Sequence, residues 1–257
     1  MTALDDAHAA MAAAPEDDAA RLAFFGAFAG TELFLLLDEE ATGDDIRPAL
    51  FSVEGARYLL AFDREERLAA FSGTVSPYAA LPGRGLVQMI AGEGIGIALN
   101  AEAPSAFLIP PEAVDWLATT LDAAPEAASA RPVAFHPPRG VPEGLLTALD
   151  ARLAAAAGLA QAAWLAGVDY DGGGRGHILI LTGALPGAET ALATAVNEAL
   201  TFSGVEAGWL DVAFLSDGDP ALAAVAAQGL RFDIPAPEAA STPVAPGSDP
   251  ARPPKLR

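Results

Sequence analysis

The side chains able to do chemistry in this chain are few and scattered. There is no cysteine, which removes thiolate nucleophiles, disulfides, iron–sulfur clusters and cysteine-based zinc sites together. The three histidines, His8, His136 and His177, fall on a terminal helix, in a connecting segment and at a strand start, without the spacing that brings imidazoles onto one metal. No metal and no cofactor are therefore expected. His177 stands just after Gly172-Gly173-Gly174-Arg175-Gly176, a basic and conformationally free turn in an acidic chain, suited to touching an anion. Asp211 sits mid-strand between Leu210 and Val212, where a carboxylate needs solvent or hydrogen-bond donors. Of the tryptophans Trp116, Trp164 and Trp209, Trp164 shares strand parity with Ala162, Ala166, Val168 and Tyr170, an apolar face fit to meet another layer or another subunit. The candidate binding residues are thus Asp211, His177, Arg175 and Trp164, and no catalytic residue is assigned.

Three near-motifs fail on physical grounds. Gly92-x-Gly94-x-Gly96 precedes a strand, whereas a phosphate loop must deliver its N–H groups at a helix N-terminus. Asp169-Tyr170-Asp171-Gly172 begins like a calcium loop but continues with Gly173 and has no glutamate at the twelfth position, so it reads as a hairpin turn. No G-x-S-x-G nucleophile elbow occurs.

Elements that would position these residues follow from periodicity and capping. Thr2-x-x-Asp5 has the form of a capping box, and Pro15-Glu16-Asp17-Asp18 places negative charge at the start of a second helix running to about Gly30. Residues 32–37 read as a buried strand, and residues 50–53 and 58–62 as a hairpin about Glu54-Gly55. Asp63-Arg64-Glu65-Glu66 reads as a second capping box, with a loop through Pro77, Pro82, Gly83 and Gly85 and a short apolar helix at 86–90. Residues 94–117 alternate like two strands turning about Asn100 and Pro104, then enter a helix at Pro110-Pro111-Glu112. Beyond an Ala/Pro-rich linker at 122–141, within which residues 131–135 can pair briefly, the pattern is α-β-β-α-β-α-β. The Pro/Ala/Ser-rich residues 235–257 offer almost no large apolar side chain and are expected to be disordered.

These elements amount to an α+β fold class: two consecutive α+β domains, at 1–121 and 142–234, each a small mixed or antiparallel sheet packed with helices. With 34 acidic against 14 basic side chains, the net charge of −20 repels phosphate backbones and anionic lipid, so neither nucleic acid nor a membrane is expected as partner. The start of the chain lacks a basic segment ahead of an apolar core, which points to a cytoplasmic address.

Phe24-Phe25, the run 58–62 with its following helix, residues 94–100 and Pro110-Pro111-Glu112 together resemble the SseB protein N-terminal domain. Pro138-x-x-x-Pro142-x-x-Leu145, Ala163-Trp164-Leu165 and Leu210-Asp211-Val212 look like the SseB C-terminal domain. Asp63 stands where that family tends to carry Thr or Ser, and Asn100-Ala101 where it often has Asn-Pro. The resemblance implies a bacterial-type two-domain fold and supplies no catalytic residue. It points to a non-enzymatic protein acting through an unknown protein partner or self-association. The alternative is a small-molecule binder or enzyme with an interdomain cleft, linked through the family's serine-sensitivity name to amino-acid metabolism.

Overall fold

The computed structural model describes residues 1–41, 46–53, 55–122, 131–171, 173–205, 209–216 and 218–236. The first part runs α1 (Ala3–Ala13), α2 (Asp18–Gly30), β1 (Glu32–Leu36), β2 (Leu50–Val53), β3 (Ala56–Phe62), α3 (Glu65–Ser72), β4 (Tyr78–Pro82), α4 (Gly83–Ile90), β5 (Ile95–Leu99), β6 (Phe107–Ile109) and α5 (Pro111–Asp122). The second part runs β7 (Pro132–His136), α6 (Glu143–Ala155), β8 (Ala162–Tyr170), β9 (Arg175–Thr182), α7 (Glu189–Phe202), β10 (Leu210–Leu215), α8 (Pro220–Ala226) and β11 (Leu230–Asp233). The fold is α+β with two mixed sheets, as its alternating and helical periodicities require.

In the first sheet the order is β4-β1-β3-β5-β6, with β2 also on β3, and only β3 and β5 run parallel. Leu33, Leu35, Leu59, Ile97 and Leu99 project to one face and are buried under α1, α2, α4 and α5. The opposite face carries Tyr58, Leu60 and Phe62, partly roofed by Leu68 and Phe71 of the short α3. The second sheet has the order β10-β9-β8-β11, with β7 also on β8 and β9 parallel to β10. Its Ala163, Leu165, Leu179 and Leu181 pack against Leu149 and Leu153 of α6 and Leu192 and Val196 of α7.

The two helix layers meet. Phe202 of α7 joins the core of the first part, and a Cβ added to Gly26 of α2 would lie 2.8 Å from Phe202 Cβ, so glycine permits the close approach. Glu198 of α7, 3% exposed, pairs with Arg84 of α4 at 2.7 Å and with Arg152 of α6 at 3.4 Å. Arg152 also donates to the Gly26 carbonyl at 3.0 Å, so one buried charge cluster spans both parts. Burial holds the Arg152 guanidinium below its ordinary pKa, with Glu198 acting in the opposite sense.

Several expectations change. The Thr2 capping box forms with Asp5, and Asp17 caps α2. The Asp63-x-x-Glu66 box does not form: α3 begins at Glu65 with Arg64 at its N-cap, and the Asp63 carboxylate is held by Thr2 and Arg67 instead. The segment read as a loop before residue 83 contains β4, which pairs along the whole of β1; Pro82 closes that edge strand, where its missing N–H costs no ladder bond. Residues 132–136, inside the stretch read as linker, form β7 and extend the second sheet. Residues 123–130 and 237–257 lie outside the described residues. Among the described residues no helix is long and apolar enough to cross a membrane.

Candidate functional site

Along β8 the face turned toward α6 and α7 reads Ala163, Leu165, Gly167, Asp169, and along β9 it reads Leu181, Leu179, His177, Arg175. Both strands therefore pass from apolar to polar at the same level. At that level β7 adds His136, because a register irregularity between Pro132 and Ala134 sets Ala134 opposite Asp169 and His136 opposite Gly167. His136, Gly167 and His177 thus form one row across three strands, with the histidine Cα atoms about 10 Å apart at the usual strand spacing. Glycine in the middle leaves the row open. A cleft of 390 Å³ lies there, lined by His136, Pro137, Arg139, Gly167, Arg175 and His177, with Asp169 in its wall.

The hydrogen bonds within the cleft fix its chemistry. His136 Nε2 lies 2.9 Å from Asp169 Oδ2, and a carboxylate only accepts, so this nitrogen carries the proton. His177 Nε2 lies 3.0 Å from the Arg139 carbonyl, which imposes the same tautomer. The His177 ring stacks on Trp209, centroids 3.8 Å apart and 14° from parallel, so it is held in place on one side. Arg175 Nε is 2.9 Å from Asp169 Oδ1 as an ion pair, but that oxygen accepts no aligned hydrogen bond. The hydrogen bond from His136 first, and the Arg175 charge after it, hold the Asp169 carboxyl below its usual range.

The four candidate residues are divided between the two faces of this sheet. His177 and Arg175 belong to the cleft. Asp211 stands opposite Ile178, and Trp164 opposite Ile180, on the other face, which carries Ala166, Val168 and Val225 of α8. There Asp211 accepts a hydrogen bond from the Tyr170 hydroxyl, so its need for a donor is met inside the fold. Burial, and then Asp211, push the Tyr170 phenol well above its ordinary pKa. Trp164 is half-buried with the Arg231 guanidinium 5.4 Å from its ring centroid. Sequence reasoning missed His136, Arg139 and Asp169, although the matched change from leucine to polar residues along 163–169 and 175–181 was there to read.

A second polar cluster, also missed, lies at the carboxyl ends of the parallel β3 and β5. Asp63 follows β3, and Asn100, with φ 49 in the left-handed region that asparagine tolerates, follows β5. Asn100 Oδ1 accepts from the Asp63 N–H at 3.0 Å, and its amide donates to Ser105 at 3.2 Å. Arg67 reaches Asp63 at 2.6 Å and Asp5 at 2.8 Å; Ser105 donates to Asp5 at 2.6 Å and Thr2 to Asp63 at 2.5 Å. The hydrogen bond from Arg67 holds the Asp5 carboxyl far below the usual carboxylate range against the opposing effect of burial. Both carboxylates are thus spent on closing α1 over the sheet. The glycine-rich turn is similarly occupied: the Gly92 N–H donates to Asp115 of α5 at 2.8 Å, and Gly96 lies beneath the Tyr58 ring, where a Cβ would come within 2.5 Å.

Residues 4–116 match the family model of the SseB protein N-terminal domain. No curated protein and no solved structure matches the chain. The match covers the first sheet with its helices as far as Trp116 of α5, and the polar cleft lies outside it.

Proposed function

We propose that the SseB character of residues 4–116 extends through an SseB C-terminal domain, and that the protein is a non-enzymatic cytoplasmic binding protein whose contact point is the His136–His177 cleft. The domain division that goes with this reading is 1–121, a connection at 122–141, 142–234 and a terminal tail. One observation carries the binding role: the helix-covered face of the second sheet turns polar at the row His136, Gly167, His177, and the glycine leaves that row open. A sheet face that existed only to pack would continue the Leu165 and Leu179 pattern or be roofed by a helix.

The same geometry argues for binding over turnover. A histidine–aspartate pair drives nucleophilic chemistry when its free imidazole nitrogen faces a hydroxyl or thiol. Here the described residues lining the cleft include no Ser, Thr, Cys or Tyr, and the Tyr170 hydroxyl donates to Asp211 on the opposite face. The partner is a protein in this reading. A small molecule is the second reading, supported by the concavity itself.

Comparing wild-type protein with R175E and with the double variant H136Q/H177Q as bait against native-cell extract tests the role. A protein retained by wild-type and lost by both variants supports it. Identical retention by all three, or loss only where circular dichroism shows unfolding, refutes it. Thermal melts with amino acids and nucleotides decide the second reading, since a ligand of the folded state raises Tm.

A further inference from the structure

The cleft gathers basic side chains in a chain dominated by acidic ones. Two of the three histidines and two of the 14 basic side chains meet there around a single carboxylate. Asp169 Oδ2 takes the His136 N–H, and Oδ1 is balanced by the Arg175 charge without an aligned hydrogen bond. Arg175 is 85% exposed and engages Asp169 through Nε, so the Nη end of its fork projects into solvent at the cleft mouth. Arg139 also lines the cleft, its carbonyl anchoring His177.

Resting on the binding role proposed above, we propose that the cleft recognises an anionic oxygen group, a carboxylate or a phosphate, carried by a small molecule or by the acidic side chain or C-terminus of a partner protein. Arginine forks match two oxygens of either group. Each imidazole has its Nε2 proton committed to an acceptor within the fold, Asp169 for His136 and the Arg139 carbonyl for His177, so the rings border the anion and report on it. The charged groups facing these rings are Asp169 of β8, Arg175 of β9 and Arg139 after β7, with Trp209 stacked on His177 from the β10 side. The rest of the surface sets the size of the ligand: a net charge of −20 opposes any polyanion that must spread beyond the cleft, while one or two anionic groups within it are held at short range, inside the ~8 Å screening length.

The histidines supply the assay. Ring-proton NMR of the full chain resolves three imidazoles, with His8 as internal control, since it packs on Phe24 and Phe107 of the first part. The probes are inorganic phosphate, acetate and an acidic tetrapeptide, with acetamide and methylammonium as neutral and cationic counterparts. The expected result is a saturable shift of His136 and His177 with the anions alone, His8 unmoved, and binding weakened about tenfold or more in R175Q. Preference for the tetrapeptide over acetate assigns the group to a protein partner, and the reverse assigns it to a small molecule. If acetamide or methylammonium shifts the rings and the anions do not, the anionic class is wrong while the binding role survives. If no probe moves His136 and His177, or His8 moves equally, both fall.

Discussion

Replacing Arg67 by methionine tests the physical reading of the cluster that ties α1 to the first sheet. The substitution keeps an apolar stem of similar reach and removes the guanidinium, leaving two carboxylates without their cation. The Asp63 side chain is 0% exposed and that of Asp5 10% exposed, so water cannot replace the lost bonds of 2.6 and 2.8 Å without opening the fold. Each charge-assisted bond is worth roughly 1.5–3 kcal/mol, and stripping one partner from a buried ion pair costs about 3–5 kcal/mol. A loss near 4 kcal/mol at pH 7 is expected from urea denaturation, with amide exchange of β3 and β5 accelerated ahead of the second sheet. The pH dependence is the sharper signature. Because the folded pKa of Asp5 is depressed, its contribution in the wild-type is present above the unfolded value of about 3.9 and is lost as pH falls toward the folded value. In R67M the largest lowering cause is gone and only the Ser105 and Thr2 bonds oppose burial, so acid protonates the carboxyl more readily and relieves the penalty. The gap between wild-type and variant should therefore be widest near pH 7 and narrow as pH falls through about 4 and below. A loss below about 1 kcal/mol, or a gap that does not change with pH, would refute the argument.

At the contact between the two parts, Glu198→Ala leaves Arg152 buried without its partner, and a loss of about 3 kcal/mol with faster exchange of both α2 and α7 is expected. Gly83→Ala would set a Cβ 2.1 Å from the Phe28 carbonyl oxygen, a backbone atom that cannot swing away, so the variant should lose about 3 kcal/mol or more and express poorly. Gly26→Ala meets the Phe202 side chain and should cost less, about 1–3 kcal/mol by thermal melt. In Asp211→Asn the Tyr170 phenol should titrate closer to its ordinary value yet stay raised, because burial is the larger cause; alkaline difference absorbance between D211N and D211N/Y170F reads it. In His136→Gln the Asp169 carboxyl should rise toward its usual range, seen by carboxyl-carbon NMR, with Arg175 retaining part of the depression.

Local signals account for most of the fold. The Thr2 box, the acidic start of α2, the Pro111 helix start and the alternation of residues 94–109 are decided by neighbours in sequence, and each appears where its pattern sits. Two readings failed where a distant partner won. Asp63 has the right type and spacing to cap α3, but Arg67 and Thr2 offer it charge-assisted and short hydroxyl bonds, and α3 starts without a side-chain cap. The stretch 78–82 has no strong strand composition; β1 recruits it as an edge through five consecutive pairings that no local pattern announces.

The cleft was half legible for a related reason. Arg175 and His177 stand out because they border a glycine turn, and both line the cleft. His136 is indistinguishable from a linker histidine until β7 pairs with β8, and Asp169 looks like part of a turn until that pairing puts His136 within hydrogen-bond distance. Conversely, Asp211 was singled out for a need that Tyr170 meets inside the sheet's other face, 41 residues away in sequence. A polar residue on a strand therefore reports on function only once its cross-strand neighbours are known. The row His136, Gly167, His177 satisfies that condition with its own glycine: filling the gap separates a packing role from a binding one. A Cβ at Gly167 would make only ordinary contacts of 3.5 Å, so Gly167→Ala should fold with a stability change within about 1 kcal/mol. If the cleft is a binding site, that variant keeps its Tm and loses the anion-dependent histidine shifts; if those shifts persist with the gap filled, the ligand sits elsewhere.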